Sequence, residues 1–432
     1  MTTWHEPARD LTVAADVDVL VAGAGPAGFA AAVCAARMGA KTILVEQAGA
    51  VGGMTTVGLM SHWTGASRGG FYGELLKKSA DLGGEFEGGS ASQIINPERL
   101  KTVMLEMLEG AGAGLRLYSF VAGPVMEGKQ VGGIITESKS GREALLARVV
   151  IDATGDGDVA AQAGVPFHLG RENDGGMQPA SIMFKVGGVD YSNALFPGGF
   201  ADTFPVPEGD LQTLARKHLP PPAGHVLLYR SSLPGVVTCN MTNCTGVDGT
   251  KTEDLTRAER VCRGQIDAIV GFLRRFVPGY ENSYLLSSAS LIGIRETRHF
   301  EGEYTLTEKD ILEARVFEDW AVTKAHFNFD VHNLTGAGLD ETGLQKHFPQ
   351  ERGYTIPYRC LVPRNIDGLL LAGRNISGTH LAHSSYRVMP ICANMGQAAG
   401  IAAALCVHNG VSPRALPVAD LQKALRNQGV DV

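Results

Sequence analysis

Two histidines stand three residues apart in the stretch THLAHSSYRVMP, and Arg387 follows the second by four. His380 and His383 could hold a zinc ion, or they could move protons in a reaction. Zinc needs a third or fourth ligand, but no cysteine or acidic residue stands nearby at a suitable spacing, and Arg387 opposes a dication. We therefore expect no metal, and predict that the histidines handle protons while Arg387 holds an anion. A structural role for the histidines stays open.

Other polar residues are candidates for contact with a substrate. The run IGIRETRHFEGEY alternates as a strand would, so Arg295 falls on one face and Glu296 and Arg298 fall on the other. Arg295 could bind a substrate carboxylate, and Arg298 could contact the substrate or pair with Glu296. His62, on a glycine-rich loop, and Asn240, in CNMTN, are further candidates, with ordinary loop or turn roles as the alternative.

The elements that would position these residues begin with GAGPAG, residues 23–28, between a buried strand and a small-residue helix. Gly23 permits the tight turn, Gly25 lets the backbone approach a pyrophosphate, and Gly28 lets helix and strand pack closely. Glu46 ends the next strand, where it would accept hydrogen bonds from ribose hydroxyls and disfavour the 2′-phosphate of NADP. The expected dinucleotide contacts here are Gly23, Gly25, Pro26, Ala27, Gly28, Glu46 and Gln47.

Two further segments favour FAD over NAD. The glycines of VGGMTT suit a backbone that passes along a pyrophosphate and a ring system, and VVIDATGDGDVA is a buried strand that ends near the adenine side. GAGAG at 110–114 lacks the last glycine of the motif and is predicted to be a turn, so the chain has one dinucleotide unit and no internal NAD(P)H site is expected. The second segment adds Ala153, Thr154, Gly155 and Asp156 to the expected FAD contacts.

Composition excludes several classes of protein. The chain has 432 residues and a net charge of −7, which argues against a nucleic-acid surface. The start of the chain lacks the pattern of a signal peptide, and apolar runs such as GIAAALCV look too short to cross a bilayer. The seven cysteines form no CxxC pair, which suits reduced thiols. We therefore expect a cytoplasmic protein.

Eight segments in order resemble one bacterial FAD-dependent oxidoreductase family of the glutathione-reductase-2 type, distantly related to fumarate reductase and succinate dehydrogenase flavoproteins. They are GAGPAG, VEQAGAVGGMTT, VVIDATGDGDVA, IGIRETRHFEGEYTLT, IPYRCLVP, LLLAGRNIS and HLAHSSYRVMP with GQAAG. The resemblance implies an α/β fold, with a Rossmann-like FAD-binding domain of the glutathione-reductase type from residues 12–165 and 353–432. Residues 166–352 would form an inserted α+β substrate domain.

The resemblance also implies roles for individual residues. The ribityl chain of FAD would pass Gly52, Gly53, Met54 and Thr55, and the adenine would meet the backbone of Val121. Gly373 would close the last FAD strand; many relatives have an acid next, whereas Arg374 here favours a contact with pyrophosphate. Backbone N–H groups of MGQAAG would point at the flavin N1–C2=O edge, where reduced flavin gathers negative charge. The residues concerned are Gly396, Gln397 and Ala398.

These patterns together predict an FAD-dependent oxidoreductase that passes hydride between flavin N5 and a small polar or carboxylated substrate, with His380 or His383 as acid or base. One alternative is a flavin-dependent monooxygenase, which needs NAD(P)H. Another is an electron-relay flavoprotein subunit, which usually carries cysteine runs for Fe–S clusters that this sequence lacks. The substrate, the electron acceptor, the oligomeric state and a covalent link between FAD and His62 are left open.

Overall fold

The structure, a computed structural model, describes residues 3–67, 70–81, 92–339 and 343–430. The strands are β1 (Thr12–Ala22), β2 (Thr42–Val45), β3 (His62–Thr64), β4 (Ala66–Ser67), β5 (Ser92–Ile94), β6 (Gly114–Arg116), β7 (Phe120–Glu127), β8 (Gln130–Ser138), β9 (Gly141–Asp152), β10 (Phe167–Leu169), β11 (Phe184–Gly187), β12 (Pro205–Val206), β13 (Gly209–Asp210), β14 (Leu228–Arg230), β15 (Val237–Cys239), β16 (Tyr284–Ser288), β17 (Arg298–Phe300), β18 (Trp320–His326), β19 (Phe329–Val331), β20 (Leu344–Lys346), β21 (Tyr354–Pro357) and β22 (Leu369–Leu371). The helices are α1 (Pro26–Arg37), α2 (Gly70–Asp81), α3 (Pro97–Ala111), α4 (Asp158–Gln162), α5 (Leu211–His218), α6 (Thr252–Phe276), α7 (Glu308–Leu312), α8 (His380–Tyr386), α9 (Met389–Asn409) and α10 (Val418–Asn427).

A parallel sheet in the order β6-β2-β1-β9, with β22 beside the end of β9, forms the frame of the molecule. The second half of β1, from Val19 to Ala22, is apolar and fully buried, which is typical of a strand covered on both faces. β7 and β8 continue the sheet in antiparallel fashion from the first half of β9. The predicted α/β class with a Rossmann-like sheet is confirmed.

Two helices from opposite ends of the chain, α1 and α9, pack against each other beside this sheet. A Cβ at Gly396 would lie 2.0 Å from the carbonyl oxygen of Ala27, and one at Gly400 would lie 2.2 Å from that of Ala31. Only glycine permits so close an approach. The small-residue composition of both helices therefore sets how the end of the chain returns to the dinucleotide turn.

The middle of the chain adds a smaller antiparallel sheet in the order β14-β15-β11-β16. α5 and α6 contribute Leu214, Ile269 and Leu273 to an apolar cluster with Phe184 and other residues of this sheet. Residues from about 300 to 329 belong instead to the large core around the parallel sheet. The domain bounds 12–165, 166–352 and 353–432 stay a prediction.

Among the described residues, α9 is the helix that is long and apolar enough by length and composition to cross a membrane, with a hydropathy of 1.4. This helix extends well beyond the apolar run GIAAALCV, which by itself was expected to be too short to cross a bilayer. The fold buries 89% of its most apolar window. Its apolar surface is thus used in packing against the rest of the protein.

Candidate functional site

The turn between β1 and α1 has the close approaches that its glycines predict. Gly23 has a φ of 91°, and a Cβ there would lie 2.5 Å from the carbonyl oxygen of Ala153. A Cβ at Gly28 would lie 1.8 Å from the carbonyl oxygen of Gly23, whereas one at Gly25 would meet no atom within 4 Å. Gly25 therefore leaves open space at the N-terminus of α1, where free backbone N–H groups favour an anion such as pyrophosphate.

Glu46 lies at the carboxyl end of β2, beside this turn, and is largely buried. Its Oε2 accepts a hydrogen bond from the backbone N–H of Ala24 at 2.8 Å, and its Oε1 accepts one from that of Ala48 at 2.8 Å. These bonds hold the carboxylate in place, and each oxygen keeps a second lone pair for a ligand hydroxyl. The geometry thus suits the ribose role predicted from the sequence.

A cavity of about 270 Å³, here called the first cavity, runs from the dinucleotide turn toward the start of α9. It is lined by most of the residues that the sequence predicts to contact FAD. They are Gly23, Gly25, Pro26, Ala27, Glu46, Gln47, Gly53, Met54, Val121, Ala153, Thr154, Gly155, Asp156, Gly373 and Arg374. The structure therefore brings together segments that lie hundreds of residues apart, although direct contact with FAD stays a prediction.

Three of the remaining predicted residues shape the site without lining it. Gly28 packs helix against strand. Gly52, with a φ of 106°, precedes the short turn that holds Gly53 and Met54, and the Thr55 hydroxyl donates to the carbonyl of Gly52 at 2.8 Å. Gly28, Gly52 and Thr55 thus support the backbone of the residues that line the first cavity.

The role predicted for Gly396, Gln397 and Ala398 is wrong. α9 begins at Met389, so these residues lie in its interior, where the helix uses their backbone N–H groups in its own hydrogen bonds. Gly396 packs on Ala27 instead. Met389, at the actual start of α9, lines the first cavity.

Two arginines meet the acidic residues that follow β9. Arg374 Nη2 donates to Asp156 Oδ1 at 3.0 Å, and Arg298 Nη1 donates to Asp158 Oδ1 at 2.9 Å. Burial and the nearby charge of Asp156 raise the pKa of Asp158. The expected pair between Arg298 and Glu296 is therefore wrong, because Arg298 pairs with Asp158 while Glu296 contacts His299 and His380. Arg298 also lies outside the second cavity described next, so the structure does not support contact with a substrate there.

A second cavity of about 460 Å³ adjoins the first. The two share the lining residues Met54, Ile294, Arg374, Arg387 and Met389. Three residues predicted from the sequence, Asn240, Arg295 and Arg387, line this second cavity. Tyr229, Asp330 and His332 also line it, and no motif in the sequence had pointed to them.

The charges of the second cavity are concentrated on one wall. Arg387 Nη2 contacts Asp330 Oδ2 at 3.1 Å, and Arg295 Nη1 donates to the carbonyl oxygen of Pro179 at 2.5 Å. Burial, and then the charge of Arg387, lower the pKa of Arg295 to about 10, so it is still cationic at neutral pH. Burial, and then Arg295, lower the pKa of His332 to about 4, which leaves that ring neutral. Burial raises the pKa of Tyr229 to about 12, so its hydroxyl keeps its proton.

His380 and His383 lie behind this wall and line neither cavity. His380 Nδ1 is 2.5 Å from Glu296 Oε1, and His299 Nε2 is 2.8 Å from the same oxygen. His383 packs edge-on against His299, and burial holds the pKa of His383 well below its usual range. The structure thus corrects the expectation that one of these two rings faces a substrate, because both are buried behind the cavity wall.

Glu296, His299 and His380 are of metal-ligand type, with their ligand atoms within 4.8 Å of one another. Hydrogen bonds of 2.5 and 2.8 Å already account for this group. Ligands on a tetrahedral zinc would stand about 3.3 Å apart, given metal–ligand bonds of about 2.0 Å. The absence of a metal stays a prediction.

His62 lies one layer outside the second cavity. Its ring stacks on that of Tyr229, with centroids 4.2 Å apart and planes 5° apart. Burial lowers the pKa of His62 to about 4. Its predicted contact with a substrate is therefore indirect in this structure, through the Tyr229 ring that lines the cavity.

The residues of the first cavity fit an FAD molecule. The open N-terminus of α1 suits the pyrophosphate, Glu46 suits the ribose, and Ser119–Val121 suit the adenine side. Met54, Ile294 and Met389 offer apolar surface for a flat ring where the two cavities meet. The cationic side chains of Arg374 and Arg387 also stand at this junction.

Comparison with known proteins agrees with this geometry. Residues 18–425 match the family model described as FAD dependent oxidoreductase. The digeranylgeranylglycerophospholipid reductase of Picrophilus torridus is 26% identical over 213 residues, which is 44% of this chain and 53% of that protein. The thiamine thiazole synthase of Methanococcus maripaludis is 29% identical over 160 residues, or 32% of this chain and 56% of that protein. The chain thus spans about half the length of these curated relatives.

A solved structure is similar over most of the chain. A geranylgeranyl bacteriochlorophyll reductase-like protein from Thermoplasma acidophilum superposes with a TM-score of 0.48 at 13% identity. The superposition covers 96% of this chain and 84% of that one.

Proposed function

This chain belongs to the FAD dependent oxidoreductase family, and from that premise we propose that it transfers hydride between FAD in the first cavity and a small polar substrate in the second. The observation that supports this most is the shared wall of the two cavities. Met54, Ile294 and Met389 line both, so a flavin ring at the junction would face the second cavity. FAD supplies the group that accepts or gives hydride.

The residues of the chain have separate tasks in this proposal. Glu46 and the N-terminus of α1 hold the ribose and the pyrophosphate. Arg374, fixed by Asp156 at 3.0 Å, places a positive charge near the reactive end of the cofactor. On the substrate side, neutral His332 can accept a proton and Tyr229 can donate a hydrogen bond. His332 replaces His380 and His383 as the histidine best placed for proton transfer.

A substitution that fills the second cavity tests the proposal. Leu227 is buried and lines only that cavity, so Leu227→Trp is expected to keep bound FAD and to lose reduction by substrate. The matched control is Leu286→Trp on β16, whose side chain is exposed. The measurement is anaerobic bleaching of the flavin by a panel of small alcohols, amines and hydroxy acids. Equal bleaching rates in wild type and Leu227→Trp would contradict the proposal.

The same assay separates the alternatives. A monooxygenase would be bleached by NADPH or NADH without an organic substrate and would consume oxygen with a second compound present. An electron-relay subunit would be bleached by a reduced protein partner only. Either outcome would contradict hydride transfer from a small substrate and would support the corresponding alternative function.

Two finer assignments belong to the same proposal. We propose that the FAD domain is of the glutathione-reductase-2 type, supported by the antiparallel pair β7–β8 that continues from β9. We also propose a cytoplasmic location, supported by seven free and buried cysteines.

A further inference from the structure

The second cavity contains a partly buried positive charge that forms no ion pair with the described residues. Three arginines line it: Arg374 pairs with Asp156, Arg387 pairs with Asp330, and Arg295 forms no ion pair with any residue that the structure describes. The strongest contact of Arg295 is with a neutral carbonyl group, that of Pro179. A charge that is largely withdrawn from water is costly unless an anion neutralises it.

Arg387 adds unused hydrogen-bonding capacity to the same wall. Its Nη2 is shared among Gln178 Oε1 and two oxygens of Asp330. Its Nε is buried and has no hydrogen-bond partner among the described residues. Buried donors are nearly always satisfied in folded proteins, so an unpaired N–H on a side chain that lines the cavity favours a bound acceptor near it.

We infer that the second cavity binds a carboxylate between Arg295 and Arg387. This site deepens the proposed function, because it defines the substrate of that cavity as a carboxylic acid. The net excess of one positive charge matches a monoanionic group better than a phosphate dianion. Guanidinium groups also match a planar carboxylate in two-point hydrogen bonds.

The neighbours of this pair suit the rest of such a molecule. Asn240, whose Oδ1 is 3.5 Å from Arg295 Nη2, and the protonated hydroxyl of Tyr229 can hydrogen-bond a second polar group. Asp202, the other acid on the cavity wall, is exposed and accepts hydrogen bonds from the backbone N–H groups of Gly198 and Gly199. It therefore leaves the charge of Arg295 unbalanced.

Binding of defined anions to the purified holoprotein tests the inference. The probes are propionate, succinate and benzoate, with inorganic phosphate as the competing anion class, all at constant ionic strength. Two readouts are used, the perturbation of the flavin absorption spectrum and the melting temperature. At least one carboxylate is expected to bind with a Kd below about 10 mM and to raise the melting temperature.

Variants assign the binding to Arg295. Arg295→Gln is expected to weaken the carboxylate about tenfold or more, and Arg295→Lys should recover part of the affinity by keeping the charge. Without anion, Arg295→Gln should melt no lower than wild type, because it removes an unpaired charge that is partly withdrawn from water. The control is Arg230→Gln, because Arg230 stacks on Phe196 at 4.4 Å and lies outside the cavity.

The outcomes separate this inference from the proposed function. Equal carboxylate affinity in wild type and Arg295→Gln would overturn the carboxylate site. Tighter binding of phosphate than of every carboxylate would also overturn it. Saturable binding of no carboxylate below about 10 mM would overturn it too. If the flavin is still bleached by an uncharged substrate in that last case, hydride transfer stands and the carboxylate site falls.

Discussion

Nδ1 of His380 lies 2.5 Å from Oε1 of Glu296, and both side chains are almost fully buried. His299 reaches the same oxygen through Nε2, and its Nδ1 faces the carbonyl oxygen of Gly378 at 3.0 Å. Both ring nitrogens of His299 thus face oxygen atoms, which fixes the orientation of the ring beside Glu296. Burial alone would raise the pKa of Glu296, but the bonds from His299 and His380 hold it well below its usual range.

Replacing His380 should therefore damage the fold more than the chemistry. His380→Ala removes one of the two histidine contacts of the buried Glu296 carboxylate, and a hydrogen bond to a charged group contributes about 1.5–3 kcal/mol. We expect urea unfolding to show this loss, while flavin reduction per folded holoprotein stays within about twofold of wild type. The control His168→Ala removes a half-exposed ring that stacks on His299 and should cost far less. If His380→Ala unfolds at the same urea concentration as wild type but its flavin is no longer reduced by substrate, His380 would again be the candidate acid or base.

Removal of the Glu46 carboxylate should weaken FAD binding. Glu46→Ala deletes the group that holds the turn at Ala24 and that would accept bonds from the ribose. Hydrogen bonds to a charged group contribute about 1.5–3 kcal/mol, so the Kd for FAD should rise at least about tenfold. Fluorescence titration of the apoprotein measures this change. Glu137→Ala, at an exposed position on β8, is the control, and equal Kd values in the two variants would exclude the ribose role.

A pair of glycine substitutions tests the contact between α1 and α9. Gly396→Ala would place a Cβ 2.0 Å from the carbonyl oxygen of Ala27, and overpacking of this kind costs about 1–3 kcal/mol or more. Gly271→Ala, in the exposed face of α6, meets no atom within 4 Å and should stabilise the helix by about 1 kcal/mol. Melting temperatures should move in opposite directions. A shift of the same sign in both variants would mean that the helices are not in this contact.

Acidic pH should destabilise the protein partly through His62. Its pKa is about 4 when folded, against 6.5 as the ordinary value, so the unfolded chain binds the proton more tightly. Stability is therefore complete above pH 6.5 and is lost as the pH falls from 6.5 toward 4. His62 should account for about 2 kcal/mol of the loss between pH 7 and pH 5.

His62→Phe isolates this contribution, because a phenyl ring keeps the stack on Tyr229 and does not titrate. Urea unfolding at pH 7 and pH 5 should show a smaller difference for this variant than for wild type. His5→Gln, at an exposed position near the start of the chain, should leave the difference unchanged. Identical differences in all three proteins would refute the buried neutral state of His62.

The sequence was most informative where the required contacts are local. The positions of the turn at Gly23–Gly28 and of Glu46 follow from spacing within one strand–helix–strand unit. The structure places both at the first cavity. The sequence did not predict Asp330 and His332 as site residues. They line the second cavity from the end of β19, and the position of that strand is set by tertiary packing. The Asp-x-His pattern in FDVHN was the available hint.

The errors have different physical causes. Strand alternation placed Arg298 on the same face as Glu296, but the strand spans only three residues and Arg298 pairs with Asp158 instead. The family resemblance placed Gly396 beside the flavin, and its small neighbours would allow such a close approach. In the structure the close neighbour of Gly396 is helix α1. A single sequence cannot tell whether a small residue makes room for another helix or for a cofactor.

The most direct test of the account is a crystal structure of the holoprotein. We predict that the adenosine ribose meets Glu46 and that the flavin ring lies between Met54 and Met389, with one face open to the cavity of Arg295. A flavin ring placed away from that junction, or separated from the second cavity by protein, would contradict the account.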